Sequence, residues 1–264
     1  MKVLISGKGG TGKTTLAALL SLELSRLGYK VLALDTDSVP NLAQSLGVPP
    51  EIAYSITPLA RNEELAEERT GARPGEGWGV LFSLTPKVDD LVDKYGIRVR
   101  DGLSLVVVGS IDAGKEGCLC PAIALAKAFL THVLLKRDEV VVVDAEAGAE
   151  VFGRGLAEKF DLNICVSEPT LKSLIISRKL IKLANDLGIK RNLLVINKVV
   201  DDIKTSQLYL KVFGEEGPPY HIIHYDEEVV KTEVSGKGLD KIPECSTVRH
   251  DVKSLIDKVI KSLR

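Results

Sequence analysis

The chain has 264 residues, of which 45% are hydrophobic and 27% charged, with 35 Lys+Arg against 36 Asp+Glu. A chain this long buries a large core, which excludes a disulfide-dependent miniature fold, and its apolar content excludes a disordered polymer. The near-zero net charge gives no general pull toward nucleic acid or anionic membrane, and four cysteines are too few for a secreted disulfide framework.

The N-terminal apolar run stops at Gly7, short of the roughly 7–15 residues of a signal-peptide core. No stretch approaches the ~18 apolar residues of a membrane-spanning helix. The expectation is a cytoplasmic protein with reduced thiols.

The first predicted strand, Lys2–Ser6, runs into Gly7-Lys8-Gly9-Gly10-Thr11-Gly12-Lys13-Thr14-Thr15, and a helix is predicted over Thr14–Leu27. Strand, G-x-x-x-x-G-K-[ST] and helix in that order make a phosphate-binding loop. The glycines let the backbone wrap around phosphate oxygens with N–H groups inward. Lys13 neutralises phosphate charge, Thr14 supplies a hydroxyl to Mg²⁺, and the helix N-terminus adds a favourable dipole. The second strand, Lys30–Leu34, ends in Asp35-Thr36-Asp37. Carboxylates at a strand end beside such a loop can hold Mg²⁺ through water and orient an attacking water.

Residues 51–100 break the β/α rhythm with Pro58, Pro74 and Pro86 and with Gly71, Gly75, Gly77 and Gly79. Two helices are predicted there, near Leu59–Arg69 and Pro86–Lys94. The segment is too short and too polar for a core of its own, so it reads as an insertion.

A strand at Leu103–Val108 precedes Glu116-Gly117-Cys118-Leu119-Cys120-Pro121 and a helix over Pro121–Leu135. Cys118 and Cys120 supply two thiolates, whereas a closed tetrahedral site needs four. A two-fold dimer brings two such pairs together. Buried small side chains or a redox pair are the competing readings. The next strand, Glu139–Val143, ends in Asp144 and continues Ala145-Glu146-Ala147-Gly148-Ala149-Glu150. An apolar strand closed by aspartate, after a phosphate loop, is the Walker B pattern, with Asp144 on Mg²⁺.

Predicted elements then follow at Leu162–Val166, Leu171–Leu187, Asn192–Ile196 and Tyr220–Ile223. Cys165 reads as core. His221 and His224, three apart on a strand, are expected on opposite faces and not as ligands. Asn197-Lys198 closes its strand as the guanine motif does, but Val200 stands where that motif needs aspartate, which favours ATP over GTP. The predicted final helix, Val252–Leu263, carries Val252, Leu255, Ile256 and Val259 on one face, a stripe for core packing or a membrane surface. Together these elements imply an α/β P-loop NTPase with a mostly parallel central sheet of about seven strands and helices on both faces. It is expected to form a single domain over 1–264, with the insertion at about 51–100.

The second lysine of the phosphate loop, Lys8, resembles the deviant loop of the MinD/ParA/nitrogenase-iron-protein ATPases. That resemblance implies nucleotide-dependent dimerisation, with Lys8 reaching the partner's nucleotide. It makes the Asp35-Thr36-Asp37 loop switch I, with Asp37 as the residue that positions water, and puts Asn197 on adenine. Ser38 stands where the family often has proline.

Within that group the chain is most similar to the CooC family of carbon monoxide dehydrogenase maturation ATPases. The likeness rests on the phosphate loop and on Leu84-Thr85-Pro86-Lys87-Val88-Asp89-Asp90, Gly117-Cys118-Leu119-Cys120-Pro121, Asp144 to Glu150 and Gly153-Arg154-Gly155. It implies a homodimeric, ATP- and Mg²⁺-dependent ATPase that delivers nickel to carbon monoxide dehydrogenase. Ni²⁺ or Zn²⁺ would be shared by Cys118 and Cys120 of both copies at the dimer interface. No nucleic-acid or membrane partner is expected. The alternatives are a MinD/ParA-like positioning ATPase on membrane or DNA, and an iron–sulfur electron carrier. The latter's second cluster cysteine is missing, since Val151-Phe152-Gly153 follows the Walker B segment.

Overall fold

The computed structural model describes residues 1–74, 81, 83–111, 120–136, 139–146 and 148–263. Strands β1 (Lys2–Gly7), β2 (Val31–Asp35), β3 (Ile97–Arg100), β4 (Leu103–Val107), β5 (Val140–Asp144), β6 (Leu162–Ser167), β7 (Asn192–Val199) and β8 (Tyr220–His224) form one sheet in the order β3-β4-β2-β5-β1-β6-β7-β8. Every neighbouring pair is parallel except β3–β4. The helices in chain order are α1 (Lys13–Arg26), α2 (Leu42–Ser45), α3 (Pro50–Ser55), α4 (Glu63–Thr70), α5 (Leu91–Tyr95), α6 (Cys120–Lys136), α7 (Gly153–Ala157), α8 (Leu171–Asp186), α9 (Asp202–Phe213), α10 (Glu227–Val234) and α11 (Thr247–Leu263).

The central strands are apolar on both faces because both faces are covered. Alternate residues of one strand enter different cores. Val3 and Ile5 of β1 and Val140 and Val142 of β5 pack against α1 and α11. Leu4, Val141 and Val143 point the other way, onto Leu125, Phe129 and Val133 of α6. A smaller cluster joins Cys165, Leu194 and Ile196 to Leu174 and Ile181 of α8 and Tyr209 and Val212 of α9.

The α/β architecture predicted from sequence is the observed one. All seven predicted strands are present, and β3 is an eighth. Its sequence Ile97-Arg98-Val99-Arg100 alternates half-buried aliphatics with exposed arginines, as an edge strand does. Helices α9 and α10 also go beyond the predicted set. Each is opened by an aspartate cap: Asp201 accepts from the Lys204 N–H, and Asp226 from the Glu228 N–H. The helix predicted near Leu59–Arg69 is split. A 3₁₀ turn covers Leu59–Arg61, and Asn62 then caps α4 by accepting from the Leu65 N–H.

The segment between β2 and β3 contributes to the main core. Leu59, Ala60, Leu65, Ala66, Leu91 and Val92 are buried in the cluster that holds β4 and α6. Arg69 of α4 grips Asp90 at the start of α5 with two hydrogen bonds of 3.0 and 2.8 Å, and also donates to the Lys87 carbonyl.

The apolar stripe of α11 is packed rather than presented. Val252, Leu255, Ile256 and Val259 are at most 2% exposed. Alongside them Arg249 donates to Glu23 of α1 at 2.8 Å, and Arg26 contacts the same carboxylate oxygen. Among the described residues, no helix is long and apolar enough to cross a membrane.

Candidate nucleotide site

The loop from Gly7 to Gly12 joins β1 to α1 at the carboxyl end of the sheet. Two of its glycines are sterically required. A Cβ on Gly7 would lie 2.3 Å from the Val166 carbonyl oxygen, and one on Gly12 would lie 2.4 Å from Asn197 Nδ2. Gly12 also has φ +93°, in the left-handed region. The loop folds around the Lys8 carbonyl, which accepts from the Thr11 hydroxyl at 2.9 Å and from Lys13 Nζ at 3.5 Å. Lys13 is buried. The Lys8 side chain is exposed.

Strand order sets the acidic residues beside this loop. β5 lies between β1 and β2, and Asp144 is paired in register with both Ile5 and Asp35. The two carboxylates are buried but unlike. Asp35 Oδ1 accepts from the Asp37 N–H at 3.1 Å, and its Oδ2 from the Leu42 N–H at 2.9 Å. Neither oxygen of Asp144 has a hydrogen-bond partner. Burial pushes the Asp35 carboxyl up to about 6. Burial, and then the charge of Asp35, push Asp144 up to about 7. Thr14 and Lys13 act against that rise; the Thr14 hydroxyl is close to the carboxylate without making a hydrogen bond of good geometry.

A buried carboxylate with both oxygens unpartnered, beside a lysine and a threonine hydroxyl, has the donor chemistry of a Mg²⁺ site. Thr36, between Asp35 and Asp37, ties the loop after β2 to β5: its hydroxyl and its N–H donate to the Asp144 carbonyl at 2.8 and 3.0 Å. Asp37 is half-buried, and its Oδ1 accepts from the Val39 N–H at 3.0 Å. Asn41 donates to the Val39 carbonyl.

On the other side of the loop, Asn197 Nδ2 donates to the Thr11 carbonyl at 2.9 Å. A cavity of about 100 Å³ opens beside it, lined by Gly12, Thr15, Asn197, Tyr225, Val229 and Glu233 among others. Glu233 of α10 accepts from the Thr15 hydroxyl at 3.0 Å. Its place there depends on tertiary packing of α10, and no sequence spacing points to it.

Both histidines of β8 meet Asp251 of α11, through different atoms of that residue. His221 Nε2 contacts the Asp251 carbonyl at 2.8 Å, and His224 Nδ1 its carboxylate at 2.9 Å. His224 Nε2 also reaches Asp202 of α9 at 3.1 Å. Carboxylates on both ring nitrogens stabilise the imidazolium, so the His224 pKa is raised, chiefly by the Asp251 hydrogen bond. Burial lowers that of His221.

Cys118 lies outside the described residues, and Cys120 is the first residue of α6. No group of three or more metal-binding side chains occurs among the described residues. Cys165 is fully buried, its thiol pushed up to about 11 by desolvation, and Cys245 is exposed.

A family model described as the CobQ/CobB/MinD/ParA nucleotide binding domain matches residues 2–239. The chain belongs to this family. An uncharacterised ATP-binding protein of Methanocaldococcus jannaschii is 42% identical over 99% of this chain and 98% of its own. The carbon monoxide dehydrogenase accessory protein CooC of Rhodospirillum rubrum is 40% identical over 77% of this chain and 76% of its own.

Among solved structures, MinD of Pyrococcus horikoshii complexed with Mg-ADP superposes with a TM-score of 0.66 at 20% identity, covering 100% of this chain and 98% of that one. A ParA family ATPase of Chlorobium tepidum gives 0.65 at 20% identity, over 95% of each chain. These structural likenesses establish the fold. Membership of the CobQ/CobB/MinD/ParA family makes the chain an ATPase, and ATP with Mg²⁺ is consistent with its site.

Proposed function

We propose that this ATPase is a metallochaperone that dimerises with ATP and delivers nickel to carbon monoxide dehydrogenase. The observation that carries the reading is the Cys118-Leu119-Cys120 pair, whose second cysteine opens α6, in a chain 40% identical over 77% of its length to a CooC protein. A helix N-terminus favours thiolate, the form that binds nickel or zinc. Two thiolates from each of two copies complete a four-ligand site at the dimer interface.

In this reading the backbone of Gly7, Gly9, Gly10, Thr11 and Gly12 cradles the phosphates, assisted by Thr15. Lys13 neutralises their charge. Thr14 and Asp144 hold Mg²⁺, with Asp35 and Asp37 acting through its waters. Asp37 orients the water that attacks the γ-phosphorus, which releases phosphate and ADP. Lys8, exposed on its own loop, reaches the nucleotide of the partner copy. Asn197 spends its Nδ2 on Thr11, which leaves Oδ1 as an acceptor for the exocyclic amine of adenine.

The path from nucleotide to metal starts at Asp35. Its carbonyl accepts from the Val108 and Gly109 N–H groups, where the chain leaves β4 toward the cysteines. A shift of switch I on hydrolysis therefore acts directly on the segment that leads to the metal ligands.

The test is metal stoichiometry. Protein loaded with Ni²⁺ and Mg²⁺ plus a non-hydrolysable ATP analogue should elute as a dimer with one nickel per two chains. Cys118→Ser should abolish that nickel, and the wild type should activate nickel-free carbon monoxide dehydrogenase only with ATP. One nickel per chain, unchanged by the substitution, sinks the shared site. ATP-dependent pelleting with liposomes or DNA would instead support a positioning ATPase.

A further inference from the structure

We propose that Lys198 is a positioning residue of the phosphate loop, acting with Asn197 as a two-point clamp that aims loop N–H groups at bound phosphate. Neighbouring residues of a regular strand point to opposite faces. Asn197 and Lys198 are consecutive in β7, yet both reach the same loop. Asn197 Nδ2 donates to the Thr11 carbonyl at 2.9 Å, and Lys198 Nζ donates to the Gly10 carbonyl at 2.8 Å.

The strand breaks its regularity to allow this. Ile196 pairs with Ile222 and Val199 with His224, so three steps along β7 match two along β8. The extra residue is a bulge, and bulges re-aim side chains. Lys198 sits in it with φ +60°, the one positive φ at a non-glycine position among the described residues. An L-residue is disfavoured there, so the backbone carries strain at the residue whose amine reaches the loop.

The amine is held from two sides. Besides Gly10 it contacts Glu168 Oε1 at 2.9 Å, and Glu168 is itself anchored, its N–H donating to the Ser173 hydroxyl at 3.0 Å. Since β6 lies between β1 and β7, Lys198 spans from the end of β7 past the end of β6 to the loop after β1.

Peptide geometry converts these outward contacts into inward ones. In a trans peptide the C=O and the following N–H point in opposite directions. Holding the Gly10 carbonyl outward turns the Thr11 N–H inward, and holding the Thr11 carbonyl does the same for the Gly12 N–H. The Thr11 N–H already points across the loop, at 3.4 Å from the Lys8 carbonyl, a long contact that a phosphate oxygen can replace. Lys198 thus preorganises donors that would otherwise be fixed only when ATP binds. The inference is independent of the metal cargo.

The experiment compares Lys198→Gly, Lys198→Met and Lys198→Arg in the full chain. Readouts are ATP affinity, KM against kcat, melting temperature, and amide exchange of Thr11 and Gly12. Lys198→Gly relieves the backbone strain but deletes the amine, so it should melt no lower than wild type. It should nevertheless bind ATP about tenfold more weakly, the scale of one hydrogen bond from a charged donor. KM should rise more than kcat falls, and the Thr11 and Gly12 amides should exchange faster. Lys198→Met keeps the strain and should show the same loss of affinity. Lys198→Arg, which keeps donors, should recover most of it. Wild-type affinity and wild-type exchange in the Gly and Met variants would overturn the clamp. A lowered melting temperature with unchanged affinity would reduce Lys198 to a purely structural residue.

Discussion

Asp35 and Asp144 stand side by side at the carboxyl ends of β2 and β5, paired in register, and of their two carboxylates only that of Asp35 is hydrogen-bonded. The difference divides their work. Asp35 shapes the loop after β2 by receiving the Asp37 and Leu42 N–H groups, while the Asp144 carboxylate is left open beside Thr14 and Lys13.

Asp144→Asn should therefore separate stability from metal binding. Removing one of two adjacent buried carboxyls relieves desolvation and repulsion, so the metal-free variant should melt at or above the wild-type temperature. Addition of Mg²⁺ with ADP should raise the wild-type melting temperature and leave the variant nearly unmoved. An equal rise in both would take Asp144 out of the metal site.

Asp37→Ala should retain ATP binding and lose turnover by about a hundredfold, the lower range for a positioned proton-handling group. Equilibrium binding and steady-state phosphate release separate the two effects. Because Asp37 Oδ1 also accepts from the Val39 N–H, Asp37→Asn is the gentler companion. It should keep the turn and still be slow.

His224 predicts a pH dependence of stability. Its folded-state pKa is raised by Asp251 and Asp202, so its contribution is fully present below the unfolded value of about 6.5. That contribution is lost as pH rises through the higher folded value. Urea unfolding at pH 6 and pH 8.5 should show a larger drop in stability for wild type than for His224→Gln. Identical drops would mean that the ring does not carry the charge its neighbours favour.

The Glu23–Arg249 pair is nearly sealed from solvent, with side chains 2% and 3% exposed. Breaking one side should cost about 3 kcal/mol, because the other charge is left buried. Arg249→Met should show this in urea unfolding. The double variant Glu23→Gln/Arg249→Met should recover part of the loss, since no orphaned carboxylate remains. Arg26, which also touches Glu23, limits the damage in the single variant.

Much of this was legible in the sequence because its signals are local. β-Branched runs such as Val140 to Val143 announce strands buried on both faces, and the phosphate loop is defined by spacing alone. Other features depend on contacts that sequence periodicity does not encode. β3 is hidden because Ile97 and Val99 alternate with arginines in a proline-punctuated stretch. The capping aspartates Asp201 and Asp226 were visible, but the helices they open bury few side chains, Thr205, Tyr209 and Val212 in α9 and Thr232 in α10, two of them threonines. The two contacts of His224 follow from where α9 and α11 bring Asp202 and Asp251, and the approach of Glu233 to Thr15 follows from how α10 docks. Lys198 stood in plain view as the partner of Asn197, but its aim at Gly10 depends on a left-handed backbone that no composition reveals.

The antiparallel strand β3 closes one side of the sheet with only four residues, and Arg98 and Arg100 are its exposed members. A neighbouring molecule that tried to extend the sheet there would have to bury guanidinium groups. The charge acts as a guard against strand-by-strand polymerisation, so that crowding in a concentrated solution does not turn an open sheet into a seed for aggregates.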